Sequence, residues 1–288
     1  MYDKHSLPFY AALAGMISVQ TGAAFAKTLF PVVGSEGVAA LRIGLSALVL
    51  LVIMRPWRLW KSNVNWSALA LYGLILALMN LLIYRAFMYI PVSIAIAIEV
   101  MGPLGAALLK SRQKSDLVWV FVSAAGMVFL SAGDVKGEID IRGVLYSIAA
   151  AVFWGMYVIY GSKVASGGGM TVATGMLIAA CITVPLGLSQ AGNALLSPHI
   201  LGVGLLVAIL SSMLPFLFDI YAMGRLPPRV FGILLSGSPV VSAIAGWLVL
   251  SEKLALMQCG GIACVMVACS GCALFSRRRS LPSVSAQE

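Results

Sequence analysis

The chain alternates long apolar runs with short polar breaks. Runs of span length lie at 8–26, 35–54, 67–88, 91–109, 117–132, 143–161, 171–189, 200–223, 228–250 and 256–275. A bilayer core takes about 20 helical residues, and each run reaches that length, the fifth once its ends are counted. Away from water a backbone must satisfy its own N–H and C=O groups, which a helix does within the segment. The pattern therefore predicts an all-α membrane protein with ten transmembrane helices, short loops and no soluble domain.

Composition supports a lipid setting. The 288 residues are 61% hydrophobic and only 10% charged, against about 25% charged in a soluble domain. Mean hydropathy is +1.00. A net charge of +9 would point to nucleic acid in a soluble protein. Here the basic residues sit between apolar runs, where they orient spans instead. No nucleic-acid partner is expected; the lipid bilayer is.

The direction of the spans follows from those charges. With the N-terminus in the cytoplasm, the cytoplasmic segments collect thirteen Lys and Arg and the opposite side five, with Arg42 left inside a span. This bias predicts that both termini are cytoplasmic and that "DVKGEIDIR" (Asp134 to Arg142) faces outward. Lys4, the first apolar run and "AFA" (Ala24 to Ala26) imitate a cleavable signal peptide. The run has a counterpart in the second half, so it is expected to be kept.

That counterpart belongs to a repeat. A shift of 136 positions lays Tyr10 on Tyr146, Lys27 on Lys163, Pro91 on Pro227, Pro103 on Pro239 and Asp116 on Glu252. Five spans per copy is an odd number, so the second copy enters the membrane from the other side. The expectation is two inverted five-helix repeats, 1–138 and 139–276, around a central cavity, with 277–288 as a cytoplasmic tail. Transporters built this way hold their cargo near midplane, often at paired helix interruptions. Gly102 and Pro103 interrupt the fourth span, and Gly237 and Pro239 the ninth. Proline frees backbone carbonyls there, so these four are read as matching helix breaks. A packing kink is the plainer alternative.

Polar groups inside the spans are the candidate site. Glu99 lies eight residues past Pro91, so about 12 Å along a helix and near midplane, where a charge costs about 2.5–3.5 kcal/mol. It is the first candidate for cargo binding and for proton coupling. Arg42 is the basic residue deep in a span; by sign and depth it either pairs with Glu99 or grips a cargo carboxylate. Asp219, near the cytoplasmic end of the eighth span, is a half-solvated acid or a second proton-coupling group. Gln20, beside Ser18 and Thr21, with Asn80, Tyr84, Trp154, Tyr157, Ser236 and Ser238, could line a polar pocket or bond across helices.

Catalysis is not expected. His5 and His199 are the two histidines and neither is at midplane; there is no HExxH motif. Cys269 and Cys272 have CxxC spacing without further ligands. No cofactor and no metal are expected.

"SVQTGAAFAKTLFPVVGSEGVAALR" (Ser18 to Arg42), "RPWR" (Arg55 to Arg58), "IPVSIAIAIEVMGPL" (Ile90 to Leu104) and "RLPPRVFGILLSGSPVVSAIAGWLVLSEKL" (Arg225 to Leu254) resemble the EamA-type branch of the drug/metabolite transporter superfamily. The resemblance extends over nearly the whole chain. It implies proton-driven efflux of small amino acids of the threonine or homoserine kind across a bacterial inner membrane, by a monomer or homodimer. It supports a cavity lined from both halves and matches Arg42 and Glu99 to positions where the family has these residue types. Asp219 falls where relatives tend to carry an acid. One departure is Ser238: relatives often have glutamate directly before the second-half proline. Another cargo, such as drugs or aromatic amino acids, is the main rival.

Overall fold

The computed structural model describes residues 6–57, 65–103, 105, 117–132, 139–164, 167–223, 225–226, 234–235 and 237–275. Among these the chain is helical and no strand occurs. The helices are α1 (Ser6–Lys27), α2 (Phe30–Met54), α3 (Trp66–Ala86), α4 (Val92–Glu99), α5 (Leu117–Ala132), α6 (Ile141–Val164), α7 (Gly169–Ala191), α8 (Pro198–Ala208), α9 (Leu214–Met223), α10 (Ser238–Leu250) and α11 (Leu256–Phe275). A π-turn, Ile209–Met213, joins α8 to α9 in one rod. Among the described residues six stretches are long and apolar enough to cross a bilayer: Leu7–Lys27, Phe30–Met54, Trp66–Ala86, Ile141–Gly161, Gly169–Leu196 and Pro198–Ala222. Val92–Pro103, Ser238–Leu250 and Leu256–Gly271 are shorter apolar helices. The predicted boundary near 138 and the tail at 277–288 lie outside the described residues.

Local chemistry sets the helix ends. Pro91 fixes an extended backbone (φ −55°, ψ 145°) and α4 starts immediately after it. Asn65 caps α3 by accepting from the Ala68 N–H at 3.1 Å, which satisfies one of the orphan donors of a first turn. Gly34 breaks α2 with φ +69°, a conformation glycine adopts without strain. The N–H groups of Glu36 and Gly37 that this break releases donate to Oε1 of Gln190 in α7, at 2.8 and 3.3 Å.

The packing is between distant parts of the chain. α2 lies along α7, α5 along α11, and α3 against α6 and α7; α1 runs beside α9 and α10, α2 also touches α8, and α4 wedges between α6 and α10. Large apolar side chains point outward: Val52, Phe121, Trp247 and Leu248 are each exposed, and Leu256 is 91% exposed. An apolar belt of this extent suits hydrocarbon, since a monomeric soluble surface rarely carries large contiguous apolar patches.

Candidate functional site

The eighth run contains "ILSSMLPFLFD", and its proline decides the geometry. Pro215 has no N–H, so it cannot donate to the carbonyls four and five residues back, Ser211 and Leu210. Both carbonyls find other donors. Ser18 Oγ in α1 donates to Leu210 O at 2.6 Å. Arg42 in α2 donates through Nη2 to Ser211 O at 2.5 Å. Its Nε donates to Ser212 Oγ at 2.8 Å. Ser46, one turn on from Arg42, donates to Ala208 O at 2.9 Å. Gly22 lets α1 approach closely: a β-carbon there would sit 2.8 Å from the Ser211 backbone nitrogen.

Beside this π-turn lies a cavity of about 750 Å³, counting the open space at its mouth. Gln20 from α1, Arg42 from α2, and Asn80 and Tyr84 from α3 form one part of its wall. Glu99 comes from α4, Trp154 and Tyr157 from α6, Asp219 from α9, and Ser238 from α10. The structure thus gathers nearly all of the sequence-derived candidates around one hollow. Ser236 lies outside the described residues. Gly102, Pro103, Gly237 and Pro239 do not line the cavity.

The charges are unevenly partnered. Glu99 is 7% exposed, and no ion pair or hydrogen bond from a described residue reaches its carboxylate. Asp219 is half-buried and likewise carries none. Arg42 is 4% exposed, bonded to the π-turn, and stacked over Tyr84 with its guanidinium carbon 4.8 Å from the ring centre. It does not pair with Glu99. Two of the five N–H donors of a guanidinium are thereby committed to the π-turn, and Arg42 itself lines the cavity. Gln20 is also buried, with Oε1 unpartnered.

Aromatic rings close the other side. Tyr157 stacks on Tyr72, ring centres 5.4 Å apart. It meets Phe216 edge-on at 5.9 Å. Phe216 and Pro215 are among the wall residues that polarity inside the spans does not point to; for Pro215 the sequence signal is a proline in mid-span.

A substitution separates the two roles open to Arg42. Lysine keeps the charge but cannot hold two acceptors in a fixed fork. Arg42→Lys should leave Ser211 O short of a donor and destabilise the fold by about 1–3 kcal/mol. Thermal melting in detergent checks it, with Glu99→Gln alongside. If an ion pair to Glu99 held Arg42, both variants would melt equally early; the observed bonding has only Arg42→Lys doing so.

A bundle of apolar helices around a hollow whose two acids are bonded to no described residue suits a helical membrane transporter. Residues 141–274 match the model of the EamA-like transporter family. The chain is 40% identical over 276 residues to the threonine/homoserine exporter RhtA of Escherichia coli K12, covering 95% of this chain and 94% of that one. It is also 40% identical over 274 residues to RhtA of Salmonella typhimurium LT2, covering 94% and 93%. A solved crystal structure superposes with a TM-score of 0.65 at 17% identity, over 96% of this chain and 99% of that one; this likeness concerns the fold alone. The chain belongs to the EamA-like transporter family.

Proposed function

We propose that the protein is a secondary active exporter of small amino acids of the threonine or homoserine kind, in a bacterial inner membrane with both termini cytoplasmic. The observation that carries this is the cavity itself, with two carboxylates bonded to no described residue, one anchored guanidinium and aromatic walls, in a chain 40% identical to threonine/homoserine exporters along nearly its whole length. A zwitterionic cargo needs a cation for its carboxylate and an anion or ring face for its ammonium. Arg42 supplies the first, through the donors that the π-turn leaves over. Glu99 and the face of Trp154 supply the second. Gln20 Oε1 accepts from a cargo hydroxyl.

Export couples to protons through Glu99, with Asp219 as the second acid. A proton arriving from outside neutralises Glu99, loosens the ammonium and lets the cargo leave outward; the proton then departs to the cytoplasm. One charge crossing 100 mV carries about 2.3 kcal/mol. Alternating access is by two inverted halves, 1–138 and 139–276, rocking about the cavity. The contacts support this. Exchange α1 with α6, α2 with α7, α3 with α8–α9 and α5 with α11, as the shift of 136 pairs them. The pairs α2/α7 and α5/α11 map onto themselves, while α3/α6 maps onto α1/α9 and α3/α7 onto α2/α8.

The flat rings of Trp154, Tyr157 and Phe216 favour a second reading, export of aromatic amino acids or toxic analogues. Proteoliposomes loaded with labelled threonine, homoserine or phenylalanine, with and without a pH gradient, decide between them. Gradient-stimulated movement of threonine and homoserine is expected. Movement of phenylalanine alone supports the second reading, and no movement of any of the three defeats both.

A further inference from the structure

One carboxylate outside the cavity joins three of the walls that form it. Glu252 sits in the loop between α10 and α11. Its Oε1 accepts from Lys27 Nζ, in the last turn of α1, at 2.9 Å. Its two oxygens accept from the Val92 N–H, the first donor of α4, at 3.1 and 3.3 Å. Lys27 Nζ also reaches Ile90 O at 3.4 Å. Pro91 offers no side-chain cap to α4, so the cap comes from a residue 160 positions away. The loop is shaped to deliver it. Ser251 adopts φ +57°, turning the chain back on α10. A β-carbon at Gly246 would lie 2.6 Å from Glu252 Oε2, so glycine leaves room for the carboxylate. The pair is only partly wet, with side chains 23% exposed for Lys27 and 13% for Glu252.

The three tied segments all reach the cavity further along: α1 at Gln20, α4 at Glu99 and α10 at Ser238. Glu99 is seven residues, about 10 Å, from the capped end of α4. A carboxylate at a helix N-terminus that is also ion-paired interacts with the macrodipole and with a fixed cation together. We propose that Glu252 is a positioning residue which, with Lys27, latches the outer end of the cavity: it holds α4, and so Glu99, against α1 and α10, and the latch opens whenever the cavity opens outward. This rests on the transporter reading and its orientation, in which Lys27 and Glu252 face outside.

The test reads access rather than cargo. The five native cysteines are replaced by alanine, Ser238→Cys is introduced as a reporter, and its reaction with a membrane-impermeant maleimide is timed from each face. Glu252→Gln and Lys27→Met should each speed labelling from outside about tenfold, the loss of roughly one cap or half-buried pair, without speeding it from the cytoplasmic face. Glu252→Asp should restore most of the protection. A second variant on the cysteine-free background without the reporter, Lys27→Cys/Glu252→Cys joined by a short bis-methanethiosulfonate, should export less than a tenth as fast, with reductant restoring export. Outside labelling that matches the parent in both charge variants overturns the latch. So does equal acceleration from both faces, which marks Glu252 as a general structural support, or undiminished export after cross-linking. A parent protein that exports none of the amino acids offered would sink the cargo assignment and leave the labelling comparison intact.

Discussion

Glu99→Gln is expected to lower export at limiting cargo concentration by about ten- to a hundredfold and to flatten its response to pH. A hydrogen bond to a charged partner contributes about 1.5–3 kcal/mol, which is one to two decades in affinity. Glutamine keeps the volume and an acceptor oxygen but loses the charge that meets the ammonium, and it cannot take up and release a proton. The fold should not suffer. No described residue is bonded to the Glu99 carboxylate, so nothing is orphaned by the change, and removing a buried unpaired charge relieves its desolvation penalty. Export from proteoliposomes across a pH series, with melting temperature measured in parallel, checks both halves of the expectation. Unchanged rates with an unchanged pH response would take Glu99 out of the mechanism, whereas slow export with an early melt would make it a structural acid.

How far the sequence alone leads differs from element to element, for physical reasons. Long helices such as α2 and α3 are legible because a water-free environment leaves the backbone no other way to satisfy itself. Local effects place Asn65 at the start of α3, Pro91 at the start of α4 and the break at Gly34 within α2. The polar wall of the cavity was legible too: a polar residue inside a span has few places to go, and Gln20, Asn80, Glu99 and Asp219 all went to the same one. Arg42 shows where such reasoning ends. Sign and depth made Glu99 its natural partner, but the deciding acceptors were the carbonyl of Ser211 and the hydroxyl of Ser212. A carbonyl set free by a π-turn leaves no mark in hydrophobic periodicity. Only the absence of an N–H at Pro215 hints at it. Glu252, which the sequence marks only as the repeat partner of Asp116, shows the complementary limit. It reads as an ordinary loop acid until Ser251 and Gly246 are seen to fold it back over α10 onto α4. Of the positions read as helix breaks, Gly102 matters for the space it leaves beside Ala151 and is not part of the wall of the hollow.

That space gives the largest expected effect on stability. A β-carbon on Gly102 would run into the carbonyl oxygen of Ala151, with Ala151 Cα 3.0 Å away. These are backbone atoms inside α6, so no side-chain rotation can relieve the clash, and the two helices must part. Gly102→Ala should therefore destabilise the protein by about 1–3 kcal/mol or more, even though alanine is intrinsically the better helix former. Gly105 supplies the control, since a β-carbon there meets nothing within 4 Å. Gly105→Ala should leave the melting temperature equal or slightly raised. Export should follow the same contrast. Glu99 precedes Gly102 by one turn, and Trp154 follows Ala151 by one turn, so each lies on the same side of its helix as the contact. Prising α4 from α6 separates the acid from the ring that together face the ammonium. If the two alanine variants melt and transport alike, the close approach of α4 to α6 is not what sets the spacing of Glu99 and Trp154.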